Sequence, residues 1–492
     1  MDYSQFLAMK QEIGLLVIFL LVLLYDLFMP KKARDHVGAF TLVLFGLFTL
    51  AGFCPHFCSQ TEQAFDGMYV TSPVMWCIKN ILNLGAFIVM LQAGKWINSD
   101  VQSVRRGEFY ELLLVTLFGM YLMISARHFL VFVIGLECAS LPLAAMVAFE
   151  KNRYESHEAA IKYIITAVFS SAIFMMGLSY VYMLSGSLYF SDVAAQVATS
   201  SVSPLLIVAL AFVISGVGFK LSLVPFHLWT ADVYQGAPTS VTSYLSVVSK
   251  GAAAFAFLVI LTQVFGAVYS QVWEWMLYAL IILTITVGNL FALRQRNMKR
   301  FLAFSSISQA GYIMLGIVGC NAMGMASLMY YVLVYIFSNL AAFGVILAIE
   351  NATGKVDMDD YRGLYKSNPH LSVAMMLAMF SLAGIPPFAG FFSKFFIFTG
   401  ALSDGAGTAL YVLVLIALIN TIVSLYYYLL VVKAMFLSPD EPVIPAFRSG
   451  CGERAGMWIT VAGIVLLGVV SCFYNQILTL CQAHGIQSLF SC

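Results

Sequence analysis

Residues 218–229 read GFKLSLVPFHLW, a run in which a lysine, a proline and a histidine stand inside an otherwise apolar segment. A lysine at the centre of a bilayer helix, as predicted for Lys220, costs about 2.5–3.5 kcal/mol on insertion scales. Pro225 removes a helix hydrogen bond and clashes with the turn before it. Some other interaction must offset both costs.

The composition identifies the class of protein. Hydrophobic residues make up 61% of the 492 residues and charged residues only 10%, and the mean hydropathy is +0.91. Such a chain cannot fold around one aqueous core without exposing apolar surface. We therefore predict an all-α polytopic membrane protein. A spanning helix needs about 20 apolar residues, and fourteen stretches qualify: 12–29, 37–55, 74–94, 109–125, 128–149, 159–184, 204–228, 239–265, 273–293, 300–319, 325–349, 371–400, 407–436 and 456–480.

Basic residues predict the orientation of these stretches. Of the 25 Lys and Arg residues, 18 fall in alternate connections: Lys31, Lys32, Arg34, Lys95, Arg105, Arg106, Lys151, Arg153, Arg294, Arg296, Lys299, Arg300, Lys355, Arg362, Lys366, Lys433, Arg448 and Arg454. Cytoplasmic loops carry the excess of positive charge, so both termini are expected on the outer side. The longest connections are too short to hold a soluble domain.

Five lysines remain inside the predicted spans: Lys79, Lys162, Lys220, Lys250 and Lys394. Lysines close to a helix end usually extend their ammonium group to the membrane interface, and we favour this structural role for Lys79. Lys220, Lys250 and Lys394 lie near the middle of their spans. Ionisable residues that face the interior of a membrane bundle typically belong to ion or proton pathways.

Glu137 is the clearest acidic candidate, midway along the fifth stretch in GLECASLPL. Desolvation favours the neutral form of a buried lysine, whereas a neighbouring carboxylate favours the charged form. A lysine and a glutamate that lie close together titrate as a coupled pair. Such a pair can hold and release a proton.

Prolines interrupt two predicted spans, Pro225 in the seventh and Pro386-Pro387 in the twelfth. Broken helices at membrane depth are tolerated where the freed backbone lines a wet cavity or is buried in protein. If spans 4–8 and 9–13 are two five-helix blocks, the broken helix is fourth in each, which is the order of inverted-repeat transporters. The predicted division is residues 1–108 with three helices, a first repeat at 109–265, an inverted second repeat at 266–436, and a last loop and helix at 437–492.

Long motifs carry a family resemblance between about residues 108 and 436. The seventh and eighth spans read GFKLSLVPFHLWTADVYQGAPTSVTSYLSVVSKGAAAFAF at 218–257. Further motifs are GLECASLPL (135–143), AAIKYIITAVFSSA (159–172), RNMKRFLAFSSISQAGY (296–312), SLAGIPPFAGFFSKF (381–395) and LYYYLLV (425–431). The chain resembles the antiporter-like membrane subunits of respiratory complex I, NADH:quinone oxidoreductase. It is most similar to the subunit N type, the counterpart of mitochondrial subunit 2.

The resemblance implies a proton-pumping module with a half-channel in each repeat, joined by a polar axis at mid-membrane. It implies that Glu137 and Lys220 form the coupled pair of the first half, that Lys250 connects the halves, and that Lys394 is the terminal lysine. It places His227 between Lys220 and Lys250, bridging them through water. Lys162 is implied as a secondary candidate on the cytosolic entry path.

The antiporter-like subunits of this family differ from one another in features that can be checked in this sequence. A lysine in the twelfth span argues against the subunit M type, and a chain that stops soon after the fourteenth span lacks the lateral helix of the subunit L type. Many family members have a histidine in the tenth span where this chain has Gln309. Glutamine orders water but does not exchange a proton near neutral pH, so an exit path through that position is in doubt.

Other residues have simpler interpretations. Tyr426, Tyr427 and Tyr428 are expected in the interfacial aromatic belt and in helix packing. Cys54 and Cys58 leave a disulfide open, whereas the cysteine and histidine counts provide no full metal ligand set. The sequence contains no nucleotide, flavin or iron–sulfur motif. NADH or another donor, FMN, iron–sulfur clusters and quinone are therefore expected on partner subunits.

Three functional hypotheses remain. The first is a proton-translocating subunit driven by electron transfer elsewhere, with neighbouring antiporter-like and small membrane subunits as partners and no nucleic acid. It would reside in the bacterial plasma (inner) membrane. The second is a subunit of a multisubunit cation/proton antiporter. The third, a scaffold that has lost pumping, is disfavoured because Glu137, Lys220, Lys250 and Lys394 are all titratable.

Overall fold

The protein folds into a bundle of membrane-length helices. The structure, a computed structural model, describes residues 3–30, 35–54, 60–99, 105–199, 201–402, 407–437, 441–470 and 472–484. Twelve helices in these ranges are long and apolar enough to cross a membrane. The prediction of an all-α polytopic membrane protein is confirmed.

The helices follow one another through short connections. Their bounds are α1 Lys10–Phe28, α2 Val37–Gly52, α3 Pro73–Ile97, α4 Arg106–Ser125, α5 Phe129–Val147, α6 Tyr154–Ser185, α7 Phe190–Thr199, α8 Pro204–Leu221, α9 Leu228–Gly236, α10 Thr239–Tyr244, α11 Lys250–Gln263, α12 Glu274–Ala292, α13 Met298–Val318, α14 Ala322–Thr353, α15 Leu364–Ser367, α16 Pro369–Ala383, α17 Ala389–Ala401, α18 Thr408–Leu437, α19 Cys451–Val469 and α20 Cys472–His484. A π-helical turn, Leu245–Ser249, joins α10 to α11 within one membrane helix.

A short β-hairpin precedes α3. Strand β1, Glu62–Ala64, pairs antiparallel with β2, Tyr69–Thr71. The hairpin packs on the N-terminal 3₁₀ helix Tyr3–Met9, so both mark one end of the bundle, which we call the hairpin face. The opposite end carries the connections rich in Lys and Arg, and we call it the basic face.

Three membrane helices form the centre of the bundle. Every residue in the most apolar windows of α10–α11, α13 and α14 is buried. In the surrounding helices α1, α6 and α18 only about one third of such a window is buried, and exposed side chains there include Leu24, Phe169 and Ile422. Because these exposed side chains are apolar, they suit contact with lipid rather than water.

Close helix contacts depend on small residues. A Cβ on Gly119 of α4 would lie 2.4 Å from the backbone nitrogen of Ala139 in α5, and one on Gly288 of α12 would lie 2.7 Å from that of Ser308 in α13. Glycine at these positions lets the backbones approach, as is usual for helix pairs in membranes. The first two helices of each predicted repeat thus form a tightly packed pair.

The structure differs from the predicted spans in three places. The stretch 456–480 is two helices, since α19 ends at Val469 and α20 begins at Cys472. The connection 185–203 contains α7. After the predicted break at Pro225 the chain continues as helix α9, so the seventh span runs beyond residue 228. In each case the apolar pattern alone did not reveal the helix boundary.

Candidate functional site: a row of buried lysines between two broken helices

Both broken helices have the same local geometry. Helix α8 ends where Ser222 adopts a left-handed conformation (φ 61°), and the N–H of Leu223 donates to the carbonyl of Gly218 at 2.9 Å. Helix α16 ends in the same way at Gly384 (φ 88°), with Ile385 N–H donating to Phe380 O at 3.0 Å. Each end is a Schellman-type helix stop. Pro225 and Pro387 follow, both after cis peptide bonds.

Lys394 lies at the second break. Its Nζ donates to the carbonyls of Leu382 and Ala383, at 3.0 Å each. These carbonyls belong to the last turn of α16, where backbone acceptors lack intrahelical partners and the helix dipole is negative. The lysine is 5% exposed and lies 5.2 Å from the centre of the Tyr312 ring. A buried ammonium group is thus held by backbone dipoles rather than by an acid.

Lys220 lies in the last turn of α8, before the first break, and is 6% exposed. Its Nζ donates to the hydroxyl of Tyr163 at 3.4 Å. Glu137, half-buried in α5, acts electrostatically on both Lys220 and Tyr163. Glu137 and Lys220 form no direct ion pair, so Tyr163 is the side chain that interacts with both members of the predicted pair. Sequence reasoning missed this tyrosine.

Lys250 follows the π-helical turn and is 2% exposed at the centre of the bundle. Its Nζ donates to Ser306 Oγ at 2.7 Å and lies 3.3 Å from Ser306 O. The ring of Tyr234 is centred 5.5 Å away. The lysine therefore connects a helix of the first half, α11, with α13 of the second half.

His227 precedes α9 and is half-buried. It interacts electrostatically with Lys250 but forms no direct hydrogen bond with Lys250 or Lys220. Its Nδ1 and the hydroxyls of Ser222 and Thr230 are buried without a hydrogen-bond partner among the described residues. Buried polar groups of this kind are usually satisfied by ordered water. The break is therefore polar enough to hold water near His227.

A chain of hydrogen bonds runs from beside Lys250 to Lys394. Ser305, next to Ser306, shares a hydrogen bond of 2.5 Å with Tyr428, and Gln309 donates to Tyr428 at 3.2 Å. Gln309 also donates to Leu382 O at 3.4 Å, the same carbonyl that accepts from Lys394. All these side chains are buried. Gln309 thus lies between the central and terminal lysines.

The aromatic run 426–428 has both an exposed and a buried part. Tyr426 is 60% exposed, as expected for a lipid-facing residue, but Tyr427 and Tyr428 are fully buried. Tyr427 donates to Asn289 Oδ1 at 2.9 Å. Tyr428 packs on Phe301 as expected of a packing residue, and its hydroxyl also belongs to the hydrogen-bonded chain.

Lys162 does not join the central row. Its side chain is 41% exposed and pairs with Glu158 at 2.6 Å and Asp232 at 2.7 Å. Asp232 also pairs with Arg300 at 2.6 Å. These residues lie toward the basic face, near the start of α6 and the end of α9. They connect the two predicted repeats through side-chain charges.

The side chain of Lys79 does not extend to the membrane–water interface. Its side chain is fully buried, and Nζ lies 2.5 Å from Oε1 of Glu12 on α1. The expectation of a snorkelling side chain is therefore wrong. Cys54 is exposed, and the disulfide with Cys58 that the sequence leaves open involves a residue outside the described ranges.

Comparison with known proteins gives consistent matches. Residues 126–423 match the family model described as NADH:quinone oxidoreductase/Mrp antiporter, TM. NADH-quinone oxidoreductase subunit N of Phocaeicola vulgatus is 51% identical over 96% of this chain and 98% of that protein.

Solved structures give the same fold. A chain of respiratory complex I from Thermus thermophilus is 31% identical, with a TM-score of 0.79 over 95% of this chain and 98% of that one. A chain of the Mrp complex from Dietzia sp. DQ12-45-1b is 21% identical, with a TM-score of 0.83 over 100% of both chains, which shows a shared fold. The chain belongs to the family of NADH-quinone oxidoreductase subunit N, among the antiporter-like membrane subunits.

Proposed function

We propose that this chain is a proton-translocating membrane subunit of an NADH:quinone oxidoreductase. The observation that supports this most directly is the row of buried lysines at both helix breaks and at the centre, with hydrogen-bonded side chains between Lys250 and Lys394. Burying three ammonium groups is expensive. A chain that needed only structural support from these positions would gain more from apolar side chains.

The first repeat, 109–265, would deliver protons to the row of buried lysines. Glu137 and Lys220 both interact with Tyr163, so a proton gained or lost at one changes the field at the other. His227, whose Nδ1 has no hydrogen-bond partner within the described ranges, is suited to pass a proton through water from Lys220 toward Lys250. Lys162 and Asp232, toward the basic face, would form the entry side.

The second repeat, 266–436, would carry the proton from Lys250 to Lys394. Hydroxyl groups of serine and tyrosine donate and accept at once, so they support a relay. Gln309 binds both Tyr428 and the carbonyl shared with Lys394. It fixes the geometry of this path but does not itself take up and release a proton.

The orientation and partners follow from the same proposal. The basic face would contact the cytoplasm because positive residues concentrate there, which puts the hairpin face outside a bacterial plasma membrane. Neighbouring antiporter-like and small membrane subunits would be the partners. FMN, iron–sulfur clusters, quinone, and NADH or another donor would bind elsewhere in the complex.

The second candidate is a subunit of a cation/proton antiporter. It is favoured by the shared fold with the Mrp complex and by a family model that covers both groups. Purification of the tagged chain with its natural partners distinguishes them. Quinone-reductase subunits in the purified complex support the first function, and a complex of small antiporter subunits alone would contradict it.

The first-half pair provides a functional test. We expect Lys220→Ala and Glu137→Ala to assemble but to translocate fewer protons per electron, since each removes one member of the coupled pair. Proton uptake and NADH oxidation are measured together in vesicles that contain the whole complex. Full wild-type translocation in both variants would refute the relay.

A further inference from the structure

A second buried charge cluster lies outside the lysine row, among the three N-terminal helices. Glu12 on α1 and Lys79 on α3 are 1% and 0% exposed, and their charged atoms are 2.5 Å apart. The other carboxylate oxygen of Glu12, Oε2, has no hydrogen-bond donor among the described residues. Buried pairs of this kind are poor stabilisers, because desolvation offsets most of their attraction.

The cluster reaches the depth of the lysine row. A Cβ on Gly85 of α3 would lie 3.1 Å from Val248, and one on Gly251 would lie 3.1 Å from Leu82. Asn83, next to Leu82, is therefore level with Lys250. Asn83 is fully buried, and its Nδ2 has no hydrogen-bond partner among the described residues.

Polar groups lead from Asn83 to the ion pair. The hydroxyl of Tyr121 donates to Asn83 Oδ1 in a short hydrogen bond. The ring of Tyr121 is centred 5.4 Å from Nζ of Lys79. Tyr121 is also fully buried, so lipid does not separate these groups.

The ion pair also connects toward the hairpin face. Lys79 Nζ donates to the hydroxyl of Tyr69 at 3.3 Å, and this hydroxyl lies beside Thr71 and Ser125. Tyr69 and Thr71 form strand β2, and Ser125 ends α4. The polar groups thus extend from the centre of the membrane region to the hairpin.

We propose that Glu12 and Lys79 form a proton outlet from the lysine row to the hairpin face. The inference rests on the proposed function and adds a path for release. Lys79 transfers its proton to Glu12, which leaves a neutral amine and a carboxylic acid. Glu12 then releases the proton to water at the hairpin face, and Lys79 takes up another from water beside Asn83. The pair returns to its starting charge.

Lys79→Arg tests this outlet without removing the ion pair. Arginine keeps the positive charge but stays protonated in proteins, so it supports a structural role and blocks a relay. We expect the complex to assemble and to translocate fewer protons per NADH than wild type. The readout is proton uptake per NADH oxidised in vesicles that contain the whole complex.

Two further variants keep the test decisive. Glu12→Leu/Lys79→Met removes both charges together, so no unpaired charge remains buried, and it should show the same loss. The matched control is Lys10→Met/Glu62→Leu. It removes an exposed ion pair in the same N-terminal region, with 3.1 Å between Lys10 Nζ and Glu62 Oε1, and should leave translocation unchanged.

The outcomes separate the two proposals. If Lys79→Arg or the Glu12→Leu/Lys79→Met variant translocates as wild type while Lys220→Ala does not, the outlet is wrong and the lysine row stands. If Lys220→Ala also translocates as wild type, the proposed function fails with it.

Discussion

At the scale of single residues, the partners of the lysines differ from one another. Lys394 is held by backbone carbonyls, Lys250 by a serine and Lys220 by a tyrosine. None of the three forms an ion pair among the described residues. Each ammonium group is therefore bound by neutral dipolar groups, unlike Lys79, which pairs directly with the carboxylate of Glu12.

Tyr428 is the residue that tests the second half of the row. Tyr428→Phe removes the hydroxyl between Ser305 and Gln309. It leaves their polar groups buried without this partner, which lowers the free energy of unfolding by about 1–3 kcal/mol. We expect slower proton translocation, measured as the initial rate of acidification in vesicles that contain the whole complex.

The control for Tyr428→Phe is Tyr426→Phe. Tyr426 lies on the same helix but is 60% exposed, so the loss of its hydroxyl should not change the rate. Equal rates in the two variants would exclude Tyr428 from the path.

Little of this residue-level detail could be predicted from the sequence. The lysines were evident because charged residues are rare in apolar spans. Their partners were not, because Tyr163, Ser306 and Tyr428 lie on other helices and resemble ordinary packing residues. Lys79 was misjudged for the same reason, since its partner Glu12 is 67 positions away, at the very start of the first apolar stretch.

At the scale of elements, the two broken helices determine where the lysines lie. The prolines predicted both breaks, and the helix order predicted that each is fourth in its block. The structure adds the left-handed residues Ser222 and Gly384 that end the first half-helices. It also shows that Lys220 precedes its break whereas Lys394 follows its break. The π-helical turn before Lys250 had no signal in the sequence.

Gly384 tests the second break. A Cβ there would lie 3.0 Å from Cδ of Lys394, in a left-handed conformation of φ +88°. Gly384→Ala should therefore displace the lysine and also cost about 1–2 kcal/mol in backbone strain. We expect both a lower melting temperature of the purified complex and a lower ratio of protons to electrons.

Gly354→Ala is the matched control for this break. Gly354 has a similar φ of +71° but nothing within 4 Å of a Cβ, so only the melting temperature should fall. If Gly384→Ala keeps the wild-type proton ratio, the position of Lys394 at the break is not required for translocation.

At the scale of the whole molecule, charged side chains join the two predicted repeats at the basic face. Glu350 on α14 accepts from Lys299 of α13 and from Arg153, which precedes α6, at 3.5 Å each. Lys299 also donates to Ala237 O at 3.0 Å. A cavity of about 490 Å³ lies beside Arg153 and Glu350. These contacts link the two predicted repeats at this end of the bundle.

The central claim is that Lys250 connects the two halves of the proton path. Its most direct measurement is the number of protons translocated per NADH oxidised by the whole complex in vesicles, with Lys250→Met compared against the exposed-site control Lys10→Met. We predict that Lys10→Met matches wild type. We also predict that Lys250→Met assembles but loses proton transfer through this subunit by at least about a hundredfold, the low end of what a positioned proton-transfer group contributes. A Lys250→Met complex with the wild-type proton ratio would contradict the account.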